Sequence, residues 1–255
     1  MCPPNLNLER LKADIRANRS YRAFKAIMDS SSAVSYKSLG FLVRQMKNSG
    51  VDLVLDVGAN LGQFANDLMI SGFSKQIESF EPVKSQFELL AKSSRKNSKW
   101  KAHNFAFGDQ NGEEEIYVTS NSGLSSSFLQ MSEIHFNNFP STKIVSSEKV
   151  KIKTIHDFIK ETGIEPKTTL LKLDVQGFES RVLLGCKDQL EHFALCFLEV
   201  SLVPLYEKEP SFLEVLEYLS VNGQQLIDVR RGVKSKDGDL LQLDILTRRA
   251  HNRDL

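Results

Sequence analysis

The chain has 255 residues, of which 41% are hydrophobic and 25% charged, values that are ordinary for a globular protein with a buried core. This length accommodates one α/β domain with some additional elements. The 33 basic and 32 acidic side chains leave a net charge of +1, so the chain has no strong field to attract a nucleic acid or an anionic membrane. We therefore expect no nucleic-acid partner.

The cysteines and the N-terminal sequence bear on the cellular compartment. Cys2, Cys186 and Cys196 are odd in number and lack CxxC spacing, which favours reduced intracellular thiols over a disulfide framework or a zinc site. The N-terminal sequence carries charges every few residues without the apolar core of a signal peptide, and no apolar run is long enough to span a membrane. We therefore expect a cytoplasmic protein without a membrane span.

Residues 1–50 are expected to form a helical extension. Apolar side chains recur there at intervals of three or four residues from position 6 to about position 48, which predicts two or three helices. These helices are interpreted either as a structural cap on the main domain or as a substrate lid.

Short apolar runs alternate with helical patterns from Val51 onwards, and the alternation resumes after an interruption over residues 112–150. It predicts a doubly wound, mostly parallel α/β sheet with an antiparallel last strand, so that residues 51–255 form one domain. The Ser/Asn-rich interruption is interpreted as a hairpin-like pair enclosing a long loop, which either contacts substrate or has no role. Strands are predicted over residues 53–57, 76–80, 101–107, 169–174, 194–200, 225–229 and 241–247, and helices over 62–71, 83–93, 179–185 and 212–222.

The sequence VLDVGANLGQF contains the most specific local motif. A strand ends at Asp56, Gly58 permits a tight turn, and Gly62 opens a helix whose free N–H groups face the crevice at the sheet edge. Asn60 stands where the dinucleotide fingerprint GxGxxG has its second glycine, which disfavours a diphosphate and supplies an amide for an amino-acid head group. Taken alone, the motif is also compatible with an ordinary strand-to-helix connection.

Acidic residues follow the second and third strands. Glu81, in SFEP, can accept hydrogen bonds from both hydroxyls of a ribose, and Pro82 keeps the turn open. Asp109, in AFGDQNG, can accept from an adenine amino group beside an apolar face offered by Phe105 or Phe107. A solvated strand end for Glu81 and a purely geometric turn for Asp109 are the alternatives.

Two further carboxylates follow later strands. Asp174, in LLKLDVQGFE, ends the fourth strand and is directed towards the same crevice. Glu199, in CFLEVS, has the same position on the fifth strand, and its alternative role is an ion pair with Lys172 or Arg181.

Six motifs occur in a fixed order: DVGANLGQF at 56–64, FEP at 80–82, FGD at 107–109, GLSSSF at 123–128, KLDVQGFE at 172–179 and LEVS at 198–201. Together they resemble the FkbM family of methyltransferases over residues 51–247, with the first 50 residues outside the resemblance. The resemblance implies a seven-stranded Rossmann-like methyltransferase fold and transfer of a methyl group from S-adenosylmethionine. Acceptors in the family are typically oxygens of sugars or natural products, so a small-molecule or glycan acceptor is expected.

The resemblance also implies roles for individual residues. Gly58, Asn60 and Gly62 would contact the methionine end of the cofactor, Glu81 the ribose and Asp109 the adenine. The full set of expected cofactor contacts is Asp56, Gly58, Asn60, Gly62, Phe64, Glu81, Pro82, Phe107, Asp109 and Asp174.

A hydroxyl acceptor must also lose a proton during methyl transfer. Asp174, Glu199 and His135 are the candidate catalytic bases, the last because an imidazole titrates near neutral pH. Asp174 and Glu199 could instead hold a divalent cation, although we favour the arrangement without a metal. A non-catalytic S-adenosylmethionine-binding module and a nicotinamide-dependent oxidoreductase are the competing classes, and Asn60 counts against the second of these.

Overall fold

The computed structural model describes residues 39–250, and it confirms a seven-stranded, mostly parallel sheet within an α/β fold. The strands are β1 (Leu53–Val57), β2 (Gln76–Phe80), β3 (Trp100–His103), β4 (Ala106–Phe107), β5 (Gly112–Thr119), β6 (Ile144–Lys153), β7 (Thr169–Leu173), β8 (Leu195–Ser201), β9 (Gln224–Arg231) and β10 (Gln242–Arg249). The α-helices are α1 (Gly40–Asn48), α2 (Gln63–Ile70), α3 (Lys84–Ser94), α4 (Glu133–Asn138), α5 (Ile155–Thr162), α6 (Glu179–Leu184) and α7 (Phe212–Val221).

The strand order of the main sheet is β3-β2-β1-β7-β8-β10-β9. Strand β1 pairs in parallel with β2 and β7, so the carboxyl ends of these three strands lie side by side. Strand β10 is antiparallel to both β8 and β9, as the sequence predicts. The strand order reverses direction between β1 and β7, which is where doubly wound sheets form a crevice.

Separate hydrophobic clusters cover the two faces of the sheet, because successive side chains of a strand point to opposite sides. On β1, Leu55 and Val57 pack against helices α5, α6 and α7, whereas Val54 packs against α1, α2 and α3. Every residue of β1 and β7 is buried, as is usual for central strands of a parallel sheet. The strand ends at the crevice therefore have a rigid base.

Residues 112–153 form a small second sheet together with β4, in the order β4-β6-β5. Strands β5 and β6 are antiparallel and enclose a long loop that contains α4, in agreement with the hairpin-like pair expected from the sequence. The single strand predicted over residues 101–107 is wrong, because β3 ends at His103 and β4 joins the second sheet. Asn104 marks the turn between them, where its Nδ2 donates to the carbonyl oxygens of Glu81 at 3.0 Å and Pro82 at 2.8 Å.

Helix α5 was not predicted from the sequence, although its ends carry recognisable signals. The Thr154 side chain accepts from the N–H of Asp157 at the first turn, and Gly163 ends the helix with φ of 69°.

At the N-terminus, α1 is the part of the expected helical extension that is described, and the expectation for residues 1–38 lies outside the described residues. Cys186 and Cys196 are free buried thiols, while Cys2 lies outside. No helix within residues 39–250 is long and apolar enough to cross a membrane.

Candidate functional site

A cavity of about 210 Å³ lies at the carboxyl ends of β1, β2 and β7. Three connections of the main sheet and one loop of the 112–153 region surround it. Its lining includes Gly58, Ala59, Asn60, Gln63, Phe64, Glu81, Pro82, Phe107, Ile116, Gly123, Leu124, Ser126, Ser127, Phe128, Lys172, Asp174, Val175 and Gln176. The cavity therefore occupies the position at which doubly wound sheets bind ligands.

The turn after β1 is shaped by Gly58. Its φ is 73°, and a Cβ on this residue would lie 1.9 Å from the carbonyl oxygen of Asp174, so no other residue fits there. The N–H groups of Gly58 and Ala59 both donate to the carbonyl oxygen of Phe80, at 3.1 and 3.0 Å. These bonds fix the ends of β1 and β2 relative to each other at the floor of the cavity.

Glu81 is almost fully buried at the end of β2 and faces the cavity. Its Oε2 accepts the N–H of Asn60 and its Oε1 accepts the N–H of Val83, each at 2.9 Å. Burial raises the pKa of Glu81 to about 7, and the two backbone hydrogen bonds oppose this rise. Since each carboxylate oxygen can accept more than one hydrogen bond, Glu81 keeps the capacity to bind two hydroxyl groups.

The Asn60 side chain joins the glycine turn to the loop over the cavity. Its Nδ2 donates to the carbonyl oxygen of Ser122 at 3.0 Å, and its Oδ1 accepts from the N–H of Leu61 at 2.9 Å. Asn60 itself has a positive φ of 46°, a conformation that asparagine tolerates better than most residues. The Asn60 amide, which is expected to bind an amino-acid head group, therefore also holds the loop over residues 120–127 through Ser122.

Lys172 brings a buried positive charge beneath the cavity. Its Nζ lies 3.0 Å from Asp56 Oδ1, 3.8 Å from Asp174 Oδ2 and 3.0 Å from the carbonyl oxygen of Gly58. Burial alone would lower the pKa of Lys172, but the carboxylates of Asp56 and Asp174 outweigh burial and raise it. Asp56 is fully buried behind the turn, where its Oδ2 also accepts from the hydroxyl of Ser79 at 2.9 Å.

Asp174 and Glu199 lie close together at the ends of β7 and β8. Gln176 Nε2 donates to Asp174 Oδ1 at 2.7 Å and to Glu199 Oε2 at 3.2 Å, and Gln242 Nε2 donates to Glu199 Oε2 at 2.7 Å. Burial, together with the nearby charges of Asp174 and Asp244, raises the pKa of Glu199 well above its ordinary value. Asp174 lines the cavity, whereas Glu199 does not.

The structure brings together most of the residues expected to contact the cofactor. Those that line the cavity are Gly58, Asn60, Phe64, Glu81, Pro82, Phe107 and Asp174. Asp56 lies behind the turn, and Gly62 packs against the ring of Trp100 at the start of α2. Asp109 does not line the cavity, because its carboxylate pairs with Arg181 at 2.7 Å.

His135 also lies away from the cavity. It is buried in α4, where its ring centroid lies 5.1 Å from that of Phe139 and 5.5 Å from that of Tyr206, and burial lowers its pKa.

Glu199 does not form the ion pair suggested by the sequence. Arg181 pairs with Asp109, and the hydrogen-bond donors to Glu199 are the amides of two glutamines. Within residues 39–250, no group of three or more His, Cys, Asp or Glu side chains is arranged to hold a metal ion.

Several cavity residues had no assigned role in the sequence analysis. Gln176 and Lys172 flank Asp174 in KLDVQGFE, and Ser127 and Phe128 end GLSSSF, so both motifs marked the right segments. Ile116, on β5, carried no motif signal. Its position becomes evident only when the second sheet folds over the first.

The strand order and the location of the cavity define a Rossmann-like methyltransferase fold. The chain belongs to the methyltransferase FkbM domain family, whose model matches residues 56–226. It is similar to the 2-O-methyltransferase NoeI of Sinorhizobium fredii (strain NBRC 101917 / NGR234), with 25% identity over 195 residues that cover 74% of this chain and 78% of that protein.

Two solved structures match this chain at low sequence identity, and the first of them supports the fold. Methyltransferase FkbM from Methylobacillus flagellatus KT matches with a TM-score of 0.50 and 15% identity, covering 91% of this chain and 60% of that chain, so this chain spans less than two thirds of that protein's length. An rRNA methylase from Streptococcus thermophilus matches with a TM-score of 0.45 and 10% identity, covering 86% of this chain and all of that one. The expectation of no nucleic-acid partner stays a prediction.

Proposed function

We propose that this protein transfers a methyl group from S-adenosylmethionine to a hydroxyl oxygen of a sugar or another small metabolite. The observation that carries the proposal is the convergence of the glycine turn, Glu81 and Asp174 on one cavity. Membership of the FkbM family supports the reaction class. Similarity to a protein named as a 2-O-methyltransferase supports oxygen as the acceptor atom.

The residues of the cavity fit the three parts of an adenosyl cofactor. Glu81 would accept hydrogen bonds from the ribose hydroxyls, and the turn at Gly58 and Asn60 would contact the methionine end. Phe107, Ile116 and Phe128 provide the apolar surfaces that an adenine ring needs. Because Asp109 pairs with Arg181, we assign the adenine contact to these apolar side chains in its place.

When bound, S-adenosylmethionine supplies a methyl group that is already activated by its sulfonium, so the protein has to align the acceptor and exclude water. Asp174 would accept the proton of the acceptor hydroxyl, because it lines the cavity and the other lining carboxylate, Glu81, would hold the ribose. Glu199 is the weaker candidate since it does not line the cavity, and His135 is buried elsewhere. Lys172 holds a fixed positive charge beside Asp174.

Methyl transfer can be measured with S-adenosylmethionine labelled in its methyl group and a panel of methyl glycosides as neutral sugar acceptors. We expect label to appear on an acceptor, and Asp174→Asn to lower the rate by a factor of about 10² to 10⁴, as for loss of a general base. Asp67→Asn, on the exposed side of α2, is the matched control and should transfer at the wild-type rate.

The outcome of this assay separates the competing functions. Binding of the cofactor without transfer to any acceptor would favour the non-catalytic module, and preferential binding of NAD would favour the oxidoreductase. A wild-type rate for Asp174→Asn would contradict the assignment of the base. Repetition of the assay in chelator tests the divalent-cation alternative at Asp174 and Glu199, which predicts loss of activity.

A further inference from the structure

One side-chain amide connects the carboxylates of Asp174 and Glu199. Gln176 lines the cavity, and its Nε2 donates one hydrogen bond to Asp174 at 2.7 Å and one to Glu199 at 3.2 Å. An amide nitrogen has two hydrogens, so both are used by these contacts. Gln176 is therefore placed to determine where the Asp174 carboxylate points.

The orientation of this amide is fixed from its other end. The hydroxyl of Tyr206 donates to Gln176 Oε1 at 2.7 Å, and the nitrogen faces the two carboxylates. Tyr206 is buried, and it approaches closely because Gly177 has no Cβ: one would lie 3.0 Å from the Tyr206 ring. Gly177 is the residue that lets the Tyr206 contact form.

The backbone of Gln176 also departs from the ordinary conformation. Its φ is 55°, in the left-handed region that a glutamine rarely adopts. Its carbonyl oxygen accepts from the hydroxyl of Ser127 at 2.7 Å, which ties the loop over the cavity to the end of β7. A strained backbone held by packing at the edge of a cavity is characteristic of positions with a functional constraint.

The charged and titratable groups around Asp174 act on the orientation of its carboxylate. Lys172 faces it from the same strand, Glu199 from β8, Glu179 from α6 and Asp244 from β10. Without the amide contact, the attraction of Lys172, whose Nζ lies 3.8 Å from Asp174 Oδ2, would draw the Asp174 carboxylate towards it. The amide bond from Gln176 holds one carboxylate oxygen in place.

We propose that Gln176 is a positioning residue for methyl transfer, which orients the Asp174 carboxylate towards the acceptor hydroxyl. This inference rests on the proposed function, in which Asp174 contacts the acceptor. Gln242 provides a matched comparison, because it donates to Glu199 at 2.7 Å but does not line the cavity.

The contact itself can be tested without an acceptor, by NMR of the ¹⁵N-labelled full chain. Loss of a side-chain NH₂ pair in Gln176→Met and in Gln242→Met assigns the two signals. We expect Asp174→Asn and Tyr206→Phe to shift the Gln176 pair, whereas the Gln242 pair should respond to Glu199→Gln alone. A Gln176 signal that does not move in Asp174→Asn would overturn the proposal.

The catalytic consequence can be tested with the acceptor found in the transfer assay. We expect Gln176→Met to lower kcat about 10- to 100-fold, as for loss of a hydrogen bond to a charged group. Binding of S-adenosylhomocysteine should change less than about twofold, and Gln242→Met should keep kcat within about threefold of the wild type. These limits distinguish positioning of Asp174 from general damage to the fold.

The decisive comparison is the double variant. If Gln176 acts through Asp174, Gln176→Met introduced into Asp174→Asn should cause no further loss, whereas additive losses would overturn the inference. Weakened cofactor binding with unchanged kcat would also overturn it. Absence of transfer by the wild type would contradict the proposed function and the catalytic role of Gln176 together, while the NMR comparison would still decide whether the contact exists.

Discussion

The affinity for an adenosyl ligand should depend on pH through Glu81. Burial raises the pKa of this carboxyl to about 7 in the free protein. The ionised carboxylate accepts hydrogen bonds from ribose hydroxyls more strongly than the neutral acid does, so binding favours the ionised form. The sign follows directly: affinity is highest above pH 7 and falls as the pH is lowered through this value.

The size of the effect follows from the ionised fraction. With a pKa of about 7, roughly one Glu81 in eleven is ionised at pH 6 and nearly all are ionised at pH 8.5. The apparent Kd should therefore be roughly tenfold weaker at pH 6. Calorimetric titration with S-adenosylhomocysteine at both pH values measures this, and adenosine serves as a second ligand because it contains the ribose without the amino-acid group.

The matched control for this prediction is Glu81→Gln, which cannot ionise and should bind weakly at every pH. An equal Kd of the wild type at pH 6 and pH 8.5, or tighter binding at pH 6, would refute the role of Glu81.

Two further predictions concern stability. Lys172→Met leaves the buried carboxylate of Asp56 without its cation. The free energy of unfolding, measured by urea denaturation, should therefore fall by about 3–5 kcal/mol. A loss below about 1 kcal/mol would be inconsistent with a buried ion pair. Burial raises the pKa of Glu179 to about 8, so its neutral form stabilises the fold at low pH and this contribution is lost as the pH rises through about 8. The Tm of the wild type should therefore decrease between pH 6 and pH 9, and the decrease should be smaller in Glu179→Gln. An equal decrease of Tm in the two proteins would contradict this role of Glu179.

The architecture and the central part of the site could be predicted because their signals are local. The apolar runs around β1 and β7 indicate parallel strands, and the carboxyl ends of parallel strands meet at one edge, which places Glu81 and Asp174 together. Gly58 was identifiable because a turn this tight requires a residue without a Cβ.

The positions of the other residues discussed above depend on tertiary contacts that leave no local pattern in the sequence. Asp109 was expected at the cavity, but the chain leaves the main sheet after Asn104, and the carboxylate meets Arg181 of α6. Tyr206 contacts Gln176 and Gln242 contacts Glu199 from irregular or late parts of the chain, with no motif to mark them. His135 has a residue type suited to proton transfer, yet helix α4 buries it among aromatic rings.

The proposed function depends on binding of S-adenosylmethionine in the cavity at the ends of β1, β2 and β7. Calorimetric titration of the purified protein with S-adenosylmethionine and with NAD measures this binding. Glu81→Ala is the test variant and Glu78→Ala is its control. The Glu78 carboxylate is buried on β2 and pairs with His103 away from the cavity. We expect micromolar binding of S-adenosylmethionine that Glu81→Ala severely weakens and Glu78→Ala retains. Tighter binding of NAD, or equal affinity in wild type and Glu81→Ala, would contradict it.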